Sequence, residues 1–219
     1  MFLSGRHPFR GRRANRVRGG GAIRHLSFPD GAYLFHQGAP IAGSCILCRG
    51  RAKLFTQASG GRNVLLRFCR AGELLVIPVR DAHTVSAQAV GDAVVGMIPG
   101  DTFFNLLHLH PRLALEVIQQ LSQELLRHRK RMVDLAAKTA GERLASLRLE
   151  LMAEHGVEQS DGTVLIDLVL SPQDFADVIG CTRQTVSLEL IWLREKGLLP
   201  YAHRRIIVLD PERMAQLVR

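Results

Sequence analysis

Leu170-Ser171-Pro172-Gln173-Asp174-Phe175-Ala176-Asp177-Val178-Ile179-Gly180-Cys181-Thr182-Arg183-Gln184-Thr185-Val186-Ser187-Leu188 is the stretch on which the reading of this chain turns. Ser171 offers a capping hydroxyl, Pro172 suits a first helical position where its missing N–H costs nothing, and Asp174 is an early acid. The spacing predicts a helix over Gln173 to Ile179, stopped by Gly180. Thr182 can cap a second helix over Arg183 to Lys196, stopped by Gly197. Two helices crossing steeply leave room only for a small side chain, which Ala176 supplies. The tight turn between them needs a left-handed residue, which Gly180 supplies. Val186, Leu190 and Leu193 fall on one face of the second helix, against the first. That leaves Arg183, Gln184, Ser187 and Leu188, next to the capping Thr182, on the outer N-terminal side. This is the part of a recognition helix that reaches base edges in a major groove. Arg can pair twice with guanine and Gln twice with adenine. Leu198 to Leu209 then reads as a hairpin with His203-Arg204-Arg205 at its turn, basic residues placed for phosphates. A helix–Gly–helix pattern alone fits any helical hairpin. Cap, small residue, turn glycine, second cap and basic wing in order point to double-stranded DNA.

Working outward, a helix is expected over about Thr139 to Glu154, with Leu144, Leu147 and Leu151 on one face and His155-Gly156 as its end. Val164 to Leu168 reads as a strand. Upstream, Pro111 opens a long helix without internal Gly or Pro. Ala114, Ile118, Leu121, Leu125, His128, Met132 and Leu135 recur in steps of four and three, a heptad seam. A helix with such a stripe must bury it, against the rest of the chain or against its twin in a parallel coiled coil; the strict period favours the twin. Asp101 can cap a short helix, Thr102 to Leu109. Phe28 to Pro99 reads as short strands cut by Gly38, Gly43, Gly50, Gly60-Gly61, Gly72 and Gly91, the pattern of a sandwich or barrel. The expected fold is α+β. It comprises a basic extension at 1–25, a β-roll at 26–110, a dimer helix at 111–137 and a winged helix-turn-helix at 138–219.

The 219 residues carry a formal net charge of +9. Residues 1–25 hold seven Arg and no acid, whereas 138–219 hold ten Lys and Arg against twelve Asp and Glu. The basic excess therefore sits in the extension and not in the expected DNA reader, so bulk charge is weak evidence for nucleic acid. No run of about 18 apolar residues exists for a membrane span, and the N-terminus lacks the apolar block of a secretory signal. Four cysteines make no disulfide framework in a chain of this size. A cytoplasmic protein is expected. No nucleophile elbow, phosphate loop or metal-binding His/Glu pair is visible, so catalysis is not expected.

At Leu170 to Ser187, with Leu193 and Gly197-Leu198-Leu199, the chain resembles the cyclic-AMP receptor protein / fumarate-nitrate regulator (Crp-Fnr) superfamily of bacterial transcription factors. Further echoes are Phe28 to Gly38, Gly50, Ala71-Gly72-Glu73, Phe103 to Pro111 and Gly141-Glu142-Arg143-Leu144. The resemblance implies a homodimer on an inverted-repeat site, a β-roll sensor, a long dimer helix, a hinge near Asp134 to Thr139, and contact with RNA polymerase. Members usually carry Arg-Glu at the start of the recognition helix and an Arg four residues after the Glu. Here Arg183 is kept, Gln184 stands for the Glu and Leu188 for the second Arg, which implies a different half-site. An alternative is a ligand-binding or dimerising β-roll whose helix-turn-helix does not read DNA specifically.

The effector is left open. The resemblance places a pocket near Gly72, Glu73, His83 and Thr84, with His128 of the helix seam. Cyclic-nucleotide members hold phosphate with an Arg where His83 stands, so cyclic AMP is not expected. Iron–sulfur members use cysteines in the N-terminal extension, which has none. Cys45 and Cys48 lie three apart on a strand, on opposite faces, and read as packing thiols and not as a metal site. Haem remains open, with His36, His83, His108, His110 and His128 as candidate ligands. Cys181, in the turn at a helix N-terminus, is a candidate redox thiol of lowered pKa.

Overall fold

The computed structural model describes residues 23–161, 163–166, 168, 170–199 and 206–217. Most of the expected basic extension, and Arg204 and Arg205 of the expected wing, lie outside the described residues. The chain forms two compact units, Met1–Leu125 and Leu126–Arg219.

The first unit is an antiparallel six-stranded sheet of β1 (Arg24–Phe28), β2 (Tyr33–Phe35), β3 (Gly43–Gln57), β4 (Asn63–Arg70), β5 (Leu74–Val76) and β6 (Ser86–Pro99). The strand order is β1-β6-β3-β4, with β2 also on β6 and β5 also on β3. The glycine pattern predicts separate short strands on either side of Gly50 and Gly91. The structure corrects this: β3 and β6 run on as strands of 15 and 14 residues. Gly50 takes φ +82°, and a Cβ there would collide with the Asp92 carbonyl oxygen. Register shifts fall between Leu47 and Arg49 and between Arg49 and Arg51. The glycine therefore bulges the strand so that it serves two neighbours, instead of ending it.

One cluster of buried side chains holds Phe35, Cys45, Leu47, Leu54, Cys69 and Val95. A second holds Ile46, Leu74, Ile98 and Phe103, with Cys48 packed against it. Cys45 and Cys48 thus belong to different clusters, as alternation along a strand requires. Burial pushes the Cys45 thiol up to about 12, so it is inert as a ligand or nucleophile at neutral pH.

Helix α1 (Gly100–Leu109) follows β6 directly. Its N-cap is Pro99, with no side-chain cap, so Asp101 is not the cap. The backbone turns straight from strand to helix, and Asp101 lies in the first turn, where its charge suits the dipole. Helix α2 (Pro111–Ala137) has 27 residues, none of them buried.

In the second unit α3 (Ala140–His155) is opened by a capping box: Thr139 accepts from the Glu142 N–H at 3.3 Å, and Glu142 accepts from the Thr139 N–H at 2.7 Å. The C-terminal part of α2 is tied to α3 by Arg127–Glu154 at 3.0 Å and Arg131–Glu150 at 3.6 Å. Helix α3 ends at His155-Gly156 as expected, and Gly156 has extended backbone because the chain goes directly into β7 (Gly156–Glu158). Strands β7, β8 (Val164–Ile166) and β9 (Ile206–Val208) form a second antiparallel sheet. Helices α4 (Pro172–Ile179) and α5 (Arg183–Glu195) lie between β8 and β9 in the chain, and α6 (Pro211–Gln216) closes the unit.

Candidate nucleic-acid interface

Helix α4 starts with Ser171 accepting from the Asp174 N–H at 3.1 Å, while Asp174 accepts from the Ser171 N–H at 2.9 Å. Gly180 takes φ 68° and ψ 43°, and its N–H closes on the Ala176 carbonyl at 3.0 Å. This left-handed residue turns the chain between the helices. Thr182 then caps α5, accepting from the Thr185 N–H at 3.1 Å. Ala176, Phe175 and Ile179 are buried, and α4 packs against α5 and α3. Val186, Leu190 and Leu193 are the buried residues of α5. With that face inward, Thr182, Arg183, Gln184 and Leu188 are exposed and Ser187 half-buried. Ser187 donates its hydroxyl to the Arg183 carbonyl at 3.0 Å, so that donor is already used. On the other side of the motif, Leu209 donates its N–H to Leu198 at 3.2 Å, bringing the two ends of the expected hairpin together. Its last strand, β9, pairs with β8.

Leu135, at the end of α2, sits at the Gly180 turn: a Cβ on Gly180 would meet Leu135 Cδ2 at 3.2 Å. Cys181 corrects its expectation. Its thiol is pushed up, because burial and the Glu189 carboxylate outweigh Arg143 and a hydrogen bond from the Val186 backbone. Less thiolate at neutral pH makes it a poorer redox group than its place at a helix N-terminus implies.

In the first unit a cavity of about 380 Å³ lies between β4, β5 and the start of α2. Leu54, Leu66, Val76, Ile77 and Val85 give it apolar walls; Thr84, Arg67, Gln120 and Glu124 are its polar lining. Arg67 is 6% exposed and donates to Glu73 at 2.7 Å and to the Leu74 carbonyl at 3.0 Å, with Glu124 at 3.6 Å. Burial pulls its pKa down, and Cys69, Glu124 and Glu73 more than reverse this, so it stays charged. Gln120 exchanges two hydrogen bonds with the Leu74 backbone, at 3.0 and 2.8 Å, pinning α2 to the β5 edge. Thr84 lines the cavity and Glu73 reaches it through Arg67, whereas Gly72 and His83 are not in the lining. His83 stacks on Phe35 with ring centroids 4.1 Å apart, and burial lowers its pKa. His36 stacks on Tyr33 at 4.2 Å, His108 and His110 are exposed, and His128 is a half-buried residue of the second unit. Among the described residues, no three His, Cys, Asp or Glu side chains gather as a metal site.

Residues 25–110 match the model of the cyclic nucleotide-binding domain, and residues 142–217 that of the Crp-like helix-turn-helix domain. The chain is 30% identical over 194 residues to a global nitrogen regulator of Synechococcus elongatus, spanning 86% of this chain and 87% of that one. The chain belongs to the Crp-Fnr superfamily. It is also 27% identical over 198 residues to the nitrogen fixation regulation protein FixK of Bradyrhizobium diazoefficiens, covering 89% of this chain and 81% of that protein. In fold it resembles FixK2 from Bradyrhizobium japonicum, with a TM-score of 0.78 and 22% identity over 90% of this chain and 98% of that one. It is therefore a DNA-binding transcription regulator of the Crp-Fnr type, and its similar proteins are regulators and not enzymes. No described helix is long and apolar enough to cross a membrane.

Within this Crp-Fnr regulator, the sequence reading passed over Arg67, Gln120 and Glu124. The signal for Arg67 was present: one charge inside the apolar run Val64-Leu65-Leu66-Arg67-Phe68. A charge in the middle of a strand that is otherwise core must be paired there. Gln120 and Glu124 left no comparable mark, since polar residues on a long helix normally face water.

Proposed function

We propose that this regulator acts in the cytoplasm as a homodimer that reads an inverted repeat in double-stranded DNA, with 111–137 as the pairing helix and 138–219 as the reader. The observation that carries the reading is α5: three buried residues hold the helix while Arg183, Gln184 and Leu188 stand exposed on its outer side. Arg183 would pair with guanine and Gln184 with adenine, and Thr182 and the wing residues Arg204 and Arg205 would meet phosphates. The α2 stripe supports pairing. Ile118, Leu121, Leu125 and Met132 are 47–66% exposed in the single chain. Four large apolar residues on one continuous stripe form the kind of patch that marks a protein interface. Two α5 helices related by a two-fold axis then demand a two-fold site. The family resemblance adds contact with RNA polymerase.

The sensor is read as unresponsive to cyclic AMP. His83, packed neutral against Phe35, stands where an Arg would hold phosphate, and the Arg67 guanidinium is already committed to two carboxylates. A phosphate entering this cavity would meet Glu73 and Glu124, and among the described residues that line it the cation is Arg67, already paired with both.

A gel-shift titration with a double-stranded site selected by the full chain from a random pool tests both points. Expected are retention of an inverted repeat, a steep loss with salt, and no change on adding cyclic AMP. Equal retention of all DNA would favour the β-roll module without specific reading. Tightening by cyclic AMP would overturn the sensor reading.

A further inference from the structure

The outer line of α5 is not polar throughout. At about 100° per residue, the direction opposite Val186, Leu190 and Leu193 runs through Gln184, Leu188, Ile191 and Glu195, all exposed. Leu188 is 68% exposed, among the barest large apolar residues of the described chain. It stands one turn after Gln184, about 6 Å further along the axis. Ser187 beside it has its hydroxyl bound to the Arg183 carbonyl at 3.0 Å. The surface therefore presents two polar forks, Arg183 and Gln184, followed by one isobutyl group.

On the floor of a major groove the apolar target for such a group is the C5 methyl of thymine; the other base-edge features there are hydrogen-bond donors and acceptors. We infer that Leu188 reads a thymine methyl in each half-site. The reading rests on α5 entering the major groove, as proposed above. Successive bases are about 3.4 Å apart along the duplex axis. A step of one helical turn therefore places Leu188 over a pair one or two steps from the adenine read by Gln184. On its other flank Leu188 borders a groove with Trp192, Glu189 and Glu142. Those carboxylates repel phosphate, which makes Leu188 the edge of the reading surface and not part of a phosphate contact. Ile191, more than two turns into the helix, lies beyond the N-terminal part that reaches base edges.

The test replaces thymine by deoxyuridine, which removes only the methyl group, one symmetry-related pair at a time, in the site selected by the full chain. One pair of replacements should weaken binding about fourfold per half-site, the worth of one buried methyl. Leu188→Ala should bind the thymine and deoxyuridine sites equally; the residue is exposed, so helix content by circular dichroism should stay unchanged. If every deoxyuridine site binds like its parent, or if Leu188→Ala keeps the fourfold discrimination, Leu188 does not read the methyl, while base reading by α5 stands. If no sequence is enriched at all, the proposed function itself fails and this inference with it. Even if the variant does not fold, a deoxyuridine scan on the unaltered chain that shows no loss at any position overturns the inference.

Discussion

Helices α2 and α5 are both striped with apolar side chains, but the stripes meet different fates. On α5, Val186, Leu190 and Leu193 are buried within the same unit, and what remains outside is a short reading surface. On α2, no residue in 27 is buried, and Ile118, Leu121, Leu125 and Met132 stay open. Amphipathic periodicity says that a face must be covered and does not say by what. The cover of α5 lies in its own unit: α4, adjacent in sequence and turned back by Gly180, together with α3. In the proposed homodimer the open stripe of α2 is covered by a second copy, which supplies an identical stripe.

The same substitution should therefore do opposite things on the two helices. Val186→Glu buries an unpaired carboxylate and should cost on the order of 4 kcal/mol or more. The second unit then melts, seen as lost helical signal in a thermal scan; an unchanged melting temperature breaks the comparison. Leu125→Glu should leave the fold intact but weaken pairing by on the order of 100-fold or more, since a leucine contact is lost from both copies. Sedimentation should show monomer at concentrations where the parent chain is dimer, and an unaltered profile refutes the paired seam. Arg183→Ala should cost about 1–3 kcal/mol at one base position in each half-site, with preference there relaxed. Equal weakening on every sequence would make Arg183 a phosphate contact. Thr182→Ala should cost about 1 kcal/mol through loss of the α5 cap, read in urea unfolding. The smallest effect is at Cys181. Its raised pKa leaves less thiolate at pH 8 than an unfolded reference has, so alkylation in the folded chain should be slower. Faster modification would restore it as a redox candidate.

The helix-turn-helix was legible because its determinants are local. Ser171, Pro172, Gly180 and Thr182 act on their own few residues of backbone, and each stands where caps and turn require. The long helix and its stripe were legible for the same reason, since a heptad is a property of one segment. Glycines inside strands were not, because Gly50 permits either a turn or a bulge, and strand pairing far along the chain chooses between them. Nor were the cap of α1 or the poise of the Cys181 thiol, both set by what the fold places beside them. The sequence by itself determined helices α1 to α5 and the outward residues of α5, through short-range sterics and periodicity, and the resemblance of its motifs pointed to the family. Tertiary structure alone decided the cavity and its chemistry. Arg67 on β4, Glu73 before β5 and Glu124 on α2 meet only once the sheet is closed and the helix docked. No local rule relates residues so far apart in the chain, and burial alone turns their charges from solvated surface into a matched set.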